Sequence, residues 1–242
     1  MEENKVNLLE CFYSIDGETK RSGELVWFIR LTGCNLNCIW CDTNYCHKSK
    51  GTKTDINDLV NSIKNENNCK KVTITGGEPL IHKNVDKLIL KLLEEGYNVN
   101  IETNGSIDPN KVLDFKKFNK YRSNGQLWYS LDYKCTGSHM NDRMISASAT
   151  SKVLGKEDCL KFVVASKEDL EEAYHRIKLV ERYYNERKES EKERCTYYIS
   201  PCFGQIKLPS IIDFMKEKNL VNRVRFQLQQ HKIIWNPKKR GV

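Results

Sequence analysis

Three cysteines, Cys34, Cys38 and Cys41, stand in the spacing C-x3-C-x2-C within the segment GCNLNCIWC, directly after an apolar run that ends at Leu31. Three thiolates on so short a loop converge on a small volume and will hold a soft metal. Two chemistries fit. A cubane iron–sulfur cluster with three cysteine ligands keeps one iron open for a bound molecule, whereas zinc normally takes four ligands and would draw the fourth from Cys46. Spacing favours the cluster, because paired zinc knuckles are separated by a longer loop and no second knuckle follows downstream. The remaining cysteines, Cys11, Cys69, Cys135, Cys159, Cys195 and Cys202, lack ligand spacing and read mostly as buried small apolar residues.

A metal loop needs rigid elements beneath it. Seven β-branched or aromatic runs read as strands: Leu25 to Leu31, Val72 to Thr75, Val99 to Glu102, Leu127 to Leu131, Leu160 to Val164, Tyr197 to Ser200 and Val224 to Leu228. Helical periods fall between several of them. From Asn84 to Gly96, Val85, Leu88, Ile89, Leu90, Leu92 and Leu93 share one face, with Gly96 placed as a C-terminal cap. Further helices are expected from Glu168 to about Arg187 and from Ser210 to about Lys218. Such alternation predicts parallel strands joined by helical crossovers: an α/β fold of the partial, shortened parallel barrel type, whose closure the sequence leaves open.

The chain of 242 residues, 39% apolar with 13 Gly and 5 Pro, suits one catalytic-sized domain spanning 1–242 and excludes collagen-like or disordered classes. No stretch approaches the roughly 20 apolar residues of a membrane span, and the start MEENKVNLLE lacks a secretory layout, so a cytoplasmic protein without a membrane partner is expected. A reducing compartment leaves the ten cysteines free for metal chemistry. The net charge of +8 suits an anionic small molecule or contact with nucleic acid and, at this size, does not by itself decide between them. The mixed-sign run ERKESEKER, 186–194, reads as a solvated helix end and loop.

The cysteine loop followed by Gly76-Gly77-Glu78-Pro79 at the end of the next strand resembles the radical S-adenosylmethionine superfamily, in which the methionine amino and carboxylate groups chelate the open iron. Further segments narrow the resemblance: Phe12 to Glu18 (FYSIDGE), Arg30 in FIRLTGC, WCDT at 40–43, IETNG at 101–105, DYKC at 132–135, ISP at 199–201, and QQHKIIW at 229–235 before the basic end KKRGV. Together, from about residue 12 onward, these are similar to the 7-carboxy-7-deazaguanine synthase family. The resemblance implies conversion of 6-carboxy-5,6,7,8-tetrahydropterin to 7-carboxy-7-deazaguanine with loss of ammonia, a step toward queuosine and related deazapurines. It also implies a [4Fe-4S] cluster, S-adenosyl-L-methionine and Mg²⁺ as cofactors, a flavodoxin or ferredoxin as electron donor, and a homodimer.

Matched position by position, Cys34, Cys38 and Cys41 would hold the cluster and Thr43 would ligate Mg²⁺, a hard cation that prefers oxygen. Trp40, Cys41, Asp42, Gly77, Asp132, Tyr133, Lys134 and the turn Ser200, Pro201, Cys202 and Phe203 would contact S-adenosylmethionine. Ile15, Asp16, Gly17, Glu18, Arg30, Thr75, His231 and Val242 would surround the pterin, with Arg30 clamping its carboxylate. The sequence departs from the family pattern at Asp16, where Gln is common, at Thr136, where Pro is common, and at Asp132-Tyr133-Lys134, which replaces Ser-Pro-Lys.

Plainer roles stand beside these. Arg30 could pair with Glu18 or Glu102, Thr43 could only bond its own turn, and His231, at an apolar strand end, could be a core histidine. The Ile233-Ile234-Trp235 run reads as packing and Lys238 to Arg240 as a solvated tail. Rival functions are a glycyl-radical activating enzyme, a tRNA-modifying radical enzyme and, from another class, a zinc-stabilised binding module.

Overall fold

The structure, a computed structural model, describes residues 4–242; Met1–Glu3, at the head of the start read above for a leader, lie outside the described residues. In chain order the elements are β1 (Lys5–Ile15), β2 (Leu25–Leu31), α1 (Tyr45–Lys48), β3 (Thr52–Asp55), α2 (Ile56–Glu66), β4 (Lys71–Gly76), α3 (Val85–Glu94), β5 (Asn98–Thr103), α4 (Phe115–Ser123), β6 (Leu127–Tyr133), α5 (Ala147–Val153), β7 (Cys159–Val164), α6 (Lys167–Glu186), β8 (Thr196–Pro201), α7 (Leu208–Glu217), β9 (Val224–Phe226) and α8 (His231–Ile234). The nine strands form one sheet in the order β3-β1-β2-β4-β5-β6-β7-β8-β9. All seven strands expected from sequence are present, each parallel to its neighbour from β2 to β9. Two more, β1 and β3, extend the sheet antiparallel beyond β2. Because β3 and β9 end the order without pairing, the barrel is partial.

The parallel strands alternate with period two. Ile29, Ile74, Ile101, Leu131 and Phe162 point to one face and join Leu59 and Ile63 of α2, Leu88 and Leu92 of α3, Phe118 of α4 and Ile177 of α6 in the apolar core. On the other face stand Thr73, Thr75, Asn100, Ser130 and Lys161, polar yet buried. A water-excluded polar face is costly unless its groups bond one another or a ligand, so that face marks the site.

Helix boundaries follow local chemistry. Asp55 caps α2 by accepting from Asn57 N and Asp58 N, Ser166 caps α6 through Asp169 N, and Gly96 ends α3 in a left-handed turn. Several expectations need correcting. His231 opens the short helix α8 instead of ending a strand, because β9 stops at Phe226. Ile233 and Ile234 are exposed, so that run is not core packing. The 186–194 run is, as expected, a largely exposed helix end and loop, with Arg187 donating to Ser151 and Arg194 pairing with Glu181 at 2.8 Å. Lys238 to Arg240 are exposed, as expected of a solvated tail, with the Arg240 guanidinium carbon 3.9 Å from the Tyr45 ring centroid. All ten cysteines are free, and Cys11 and Cys69 are only half-buried. Among the described residues no helix is long and apolar enough to cross a membrane.

Candidate active site

The loops at the carboxyl ends of the parallel strands meet around a cavity of about 220 Å³. This is where parallel α/β sheets gather ligands, because residues from several strand ends converge there. Cys34, Cys38 and Cys41 lie on its wall, in a loop that Gly33 opens by donating to Cys46 O at 2.9 Å. Cys34 Sγ accepts from Leu36 N and from Asn104 Nδ2, both at 3.5 Å. Burial pushes the free Cys34 and Cys38 thiols above their ordinary pKa, so loading a metal must release protons.

The cysteines fit a cluster better than a zinc ion. A tetrahedral zinc would bring its sulfurs to within roughly 3.8 Å of one another. Among the described residues, the three loop sulfurs do not all lie within 4.8 Å of one another. Cys46, the candidate fourth zinc ligand, is fully buried and does not face the cavity. Three thiols are therefore presented together without a fourth from the loop, the donor set that leaves one iron of a cubane without a protein ligand.

Next to the loop, Gly77 lies so close that a Cβ there would stand 2.0 Å from Gly33 O and 2.8 Å from Cys34 Cβ. Only glycine allows this approach of β4 to the cysteine loop. Glu78, fully buried, accepts from Leu80 N at 3.0 Å, Thr103 Oγ1 at 2.8 Å and Asn104 N at 2.6 Å, and burial raises its pKa to about 7. The glutamate of the GGEP segment thus fixes Asn104, which in turn reaches Cys34.

The cavity also gathers most of the other expected residues: Trp40, Asp42, Thr43, Gly77, Asp132, Lys134 and Cys202, then Ile15, Asp16, Gly17, Glu18, Arg30, Thr75, His231 and Val242. Four of the expected cofactor contacts are not on its wall. The Tyr133 ring packs on Phe162 and its hydroxyl donates to Glu172, while Ser200 is buried, Pro201 follows it in β8, and Phe203 is exposed. Along β6 the period of two explains the first of these, since Asp132 and Lys134 share a face that Tyr133 cannot.

Arg30 pairs with Glu10 at 2.6 Å, not with Glu18 or Glu102, because β1 lies beside β2 and sets Glu10 opposite Arg30. Tyr45 donates to the same Glu10 oxygen at 2.8 Å. Thr43 Oγ1 sits 3.6 Å from Cys41 Sγ, and its carbonyl accepts from Cys46 N at 2.8 Å. The Ile15–Glu18 loop is clamped by the segment after β9: Gln227 accepts from Thr19 N and donates to Thr19 O, and Gln230 N donates to Gly17 O at 3.1 Å. A Cβ on Gly17 would stand 2.4 Å from His231 Nδ1, so this histidine rests on the loop only because residue 17 is glycine. Burial lowers the His231 pKa, keeping the ring neutral at pH 7.

Sequence reasoning missed Glu10, Lys161, Lys232 and Gln227. Lys232 pairs with Asp42 at 2.6 Å, and Lys161 pairs with Glu18 at 2.9 Å and with Asp132 at 3.5 Å. A signal was present. In Val72-Thr73-Ile74-Thr75, Asn100-Ile101-Glu102, Ser130-Leu131-Asp132 and Leu160-Lys161-Phe162, polar residues recur at every second position of otherwise apolar strands.

Fold and cysteine loop together define the class: residues 28–137 match the model of the Radical SAM superfamily. A 7-carboxy-7-deazaguanine synthase from Clostridium acetobutylicum is 40% identical over 238 residues, 97% of this chain and 98% of the relative. One from Chlorobaculum tepidum is 30% identical, covering 99% of each. The chain belongs to the 7-carboxy-7-deazaguanine synthase family. Its fold is similar to that of QueE from Escherichia coli, with a TM-score of 0.61 at 20% identity over 95% of each chain.

Proposed function

We propose that the cavity carries out the family reaction with its two sides divided between cofactor and substrate. The chain is a radical S-adenosylmethionine lyase that converts 6-carboxy-5,6,7,8-tetrahydropterin to 7-carboxy-7-deazaguanine with loss of ammonia, using a [4Fe-4S] cluster, S-adenosylmethionine and Mg²⁺. When bound, the cofactors would supply a 5′-deoxyadenosyl radical for hydrogen abstraction at C6 of the pterin. The protein's own part is placement: reacting atoms held roughly 3–3.5 Å apart in a site closed to water.

In this division Cys34, Cys38 and Cys41 hold the cluster. The backbone of Gly76 and Gly77, on the cavity wall beside the cysteine loop, meets the methionine end of the co-substrate, whose remainder meets Trp40, Asp42, Asp132, Lys134 and Cys202. Thr43 offers a hydroxyl to Mg²⁺. Opposite, Asp16 and Glu18 accept from the amino-pyrimidine N–H groups, Arg30 holds the pterin carboxylate, and Thr75, His231 and Val242 complete the pocket. The observation that carries this reading is one cavity lined both by the three cysteines and by the buried carboxylates and guanidinium a carboxypterin needs. For the setting we propose a cytoplasmic homodimer that takes electrons from an acidic one-electron carrier such as flavodoxin, which suits a chain of net charge +8.

The test is anaerobic incubation of the cluster-loaded protein with S-adenosylmethionine, dithionite, Mg²⁺ and the carboxytetrahydropterin. The expected product has the ultraviolet spectrum and mass of 7-carboxy-7-deazaguanine. Release of 5′-deoxyadenosine with the pterin unchanged would overturn the substrate assignment.

A further inference from the structure

Lys161 belongs to none of the motifs that point to the reaction, yet its side chain joins acids from the two sides of the cavity. It lies on β7, opposite Asp132 in the parallel register with β6, and its side chain is 11% exposed. Its ammonium meets Glu18 Oε2 at 2.9 Å and Asp132 Oδ2 at 3.5 Å, and the charge of Glu102 also acts on it. Asp132 Oδ2 is shared with Lys134, at 2.7 Å.

Burying an ammonium beside several carboxylates is expensive unless the arrangement is held by good geometry, and one carboxylate would suffice to neutralise it. Here the contacts are divided. Each acid spends one oxygen on Lys161, and the other oxygen, Glu18 Oε1 or Asp132 Oδ1, is buried without a hydrogen-bond partner among the described residues. Both acids line the cavity, so each has an acceptor left for a ligand. Glu18 stands in the loop assigned above to the pterin, and Asp132 at the strand end assigned to S-adenosylmethionine.

We propose that Lys161 is a positioning residue that sets the substrate acceptor Glu18 and the cofactor acceptor Asp132 at a fixed separation, so that radical formation is spent on the pterin. This rests on the reading in the preceding section. Lys161 lines the cavity and pairs with these two acids, with no hydrogen bond or ion pair to Cys34, Cys38 or Cys41 among the described residues. Its loss frees Glu18 and leaves Asp132 held by Lys134 alone, so their separation is no longer fixed, and a misplacement on the order of 1 Å can cost as much as about 100-fold in a reaction that depends on aligned atoms.

The test compares wild type with Lys161→Met, which keeps length without charge, and with Lys161→Gln, a smaller perturbation that serves if the first variant fails to fold. All are cluster-loaded anaerobically and given S-adenosylmethionine, dithionite, Mg²⁺ and the carboxytetrahydropterin. Iron and sulfide content and the cluster absorbance are expected to match wild type. The expected signature is 5′-deoxyadenosine released per product rising on the order of tenfold, with KM raised for both pterin and S-adenosylmethionine. Lys161→Arg, which retains the bridge, is expected to recover most of the wild-type ratio. A folded, iron-loaded Met or Gln variant with lower kcat but the wild-type ratio and KM values would reduce Lys161 to a structural charge and overturn the proposal. Equal disturbance in Lys161→Arg would do the same. If wild type itself makes no product, the functional reading fails first; if wild type turns over and only the variants behave as wild type, this inference alone fails.

Discussion

The two sides of the cavity are built differently. On the cluster side, one continuous loop carries all three cysteines, and its shape is set by backbone contact: Gly33 N on Cys46 O, Gly77 pressed against Gly33, and Asn104 reaching Cys34 from the end of β5. On the substrate side, no short segment holds the site. Glu10 meets Arg30 across an antiparallel pair, Glu18 meets Lys161 from 143 residues away, and Thr19 meets Gln227 from 208 residues away. The cluster side takes its metal ligands from one segment, braced from outside by Gly77 and Asn104, and tolerates little volume. The other side is an assembled network of buried charge, so its geometry depends on the whole sheet being in register.

The comparison can be broken most forcefully at the cysteines. Cys38→Ala is expected to abolish iron loading and 5′-deoxyadenosine formation together while leaving the sheet folded, because Cys38 is a half-buried loop residue outside the apolar core. Iron analysis and a circular dichroism melt read the two quantities separately. Full turnover in an iron-free variant would refute the cluster assignment.

Gly77→Ala should act next most strongly, and through volume alone. Its methyl would stand 2.0 Å from Gly33 O, where backbone must move, so overpacking of about 1–3 kcal/mol is expected along with displacement of the cysteine loop. Activity should fall by about 100-fold with reduced iron content. If Gly77→Ala loads iron and turns over normally, the close backbone approach is not what positions the loop.

That difference in construction also governs what the sequence discloses. The cluster side is legible because its chemistry is a spacing: Cys34, Cys38, Cys41 and the following Gly-Gly-Glu-Pro keep their meaning without a partner strand. The seven parallel strands are legible as short β-branched runs. β1 is not, because Lys5 to Ile15 is half-exposed along most of its length, with a register shift between Leu8 and Glu10, so neither strict alternation nor a continuous apolar run appears. β3 is four mostly polar residues, TKTD, paired only at the sheet edge. Missing β1 hides Glu10, and with Glu10 hidden the partner of Arg30 is misassigned to Glu18 or Glu102. Lys161 and Lys232 are single cations in the sequence; what makes them informative is burial against acids far along the chain, which period-two alternation hints at and only the fold decides.

The smallest effect separates the two sides by pH. Asp16 is buried, its Oδ2 accepting from Thr73 Oγ1 at 3.0 Å and its Oδ1 from Glu18 N at 3.3 Å. Burial, and then repulsion from Glu102, push its pKa from the ordinary 3.8 to about 7. A carboxyl raised in the folded state binds its proton more tightly there than in the unfolded chain. Its contribution to stability is therefore complete below 3.8 and is lost as the pH rises through about 7. Substrate capture should run the other way, because only the ionised carboxylate offers two acceptors to pterin N–H groups: kcat/KM should fall as the pH drops below about 7 while resistance to urea increases. Asp16→Asn, neutral throughout, should lose some stability at acid pH, since its amide N–H₂ faces one of two donors, and should flatten both profiles across this range. Urea melts and kcat/KM measured from pH 5 to pH 8 read the two trends on the same samples, and parallel profiles for wild type and variant would remove Asp16 from the titrating network and leave the substrate side as indifferent to pH as the glycines opposite.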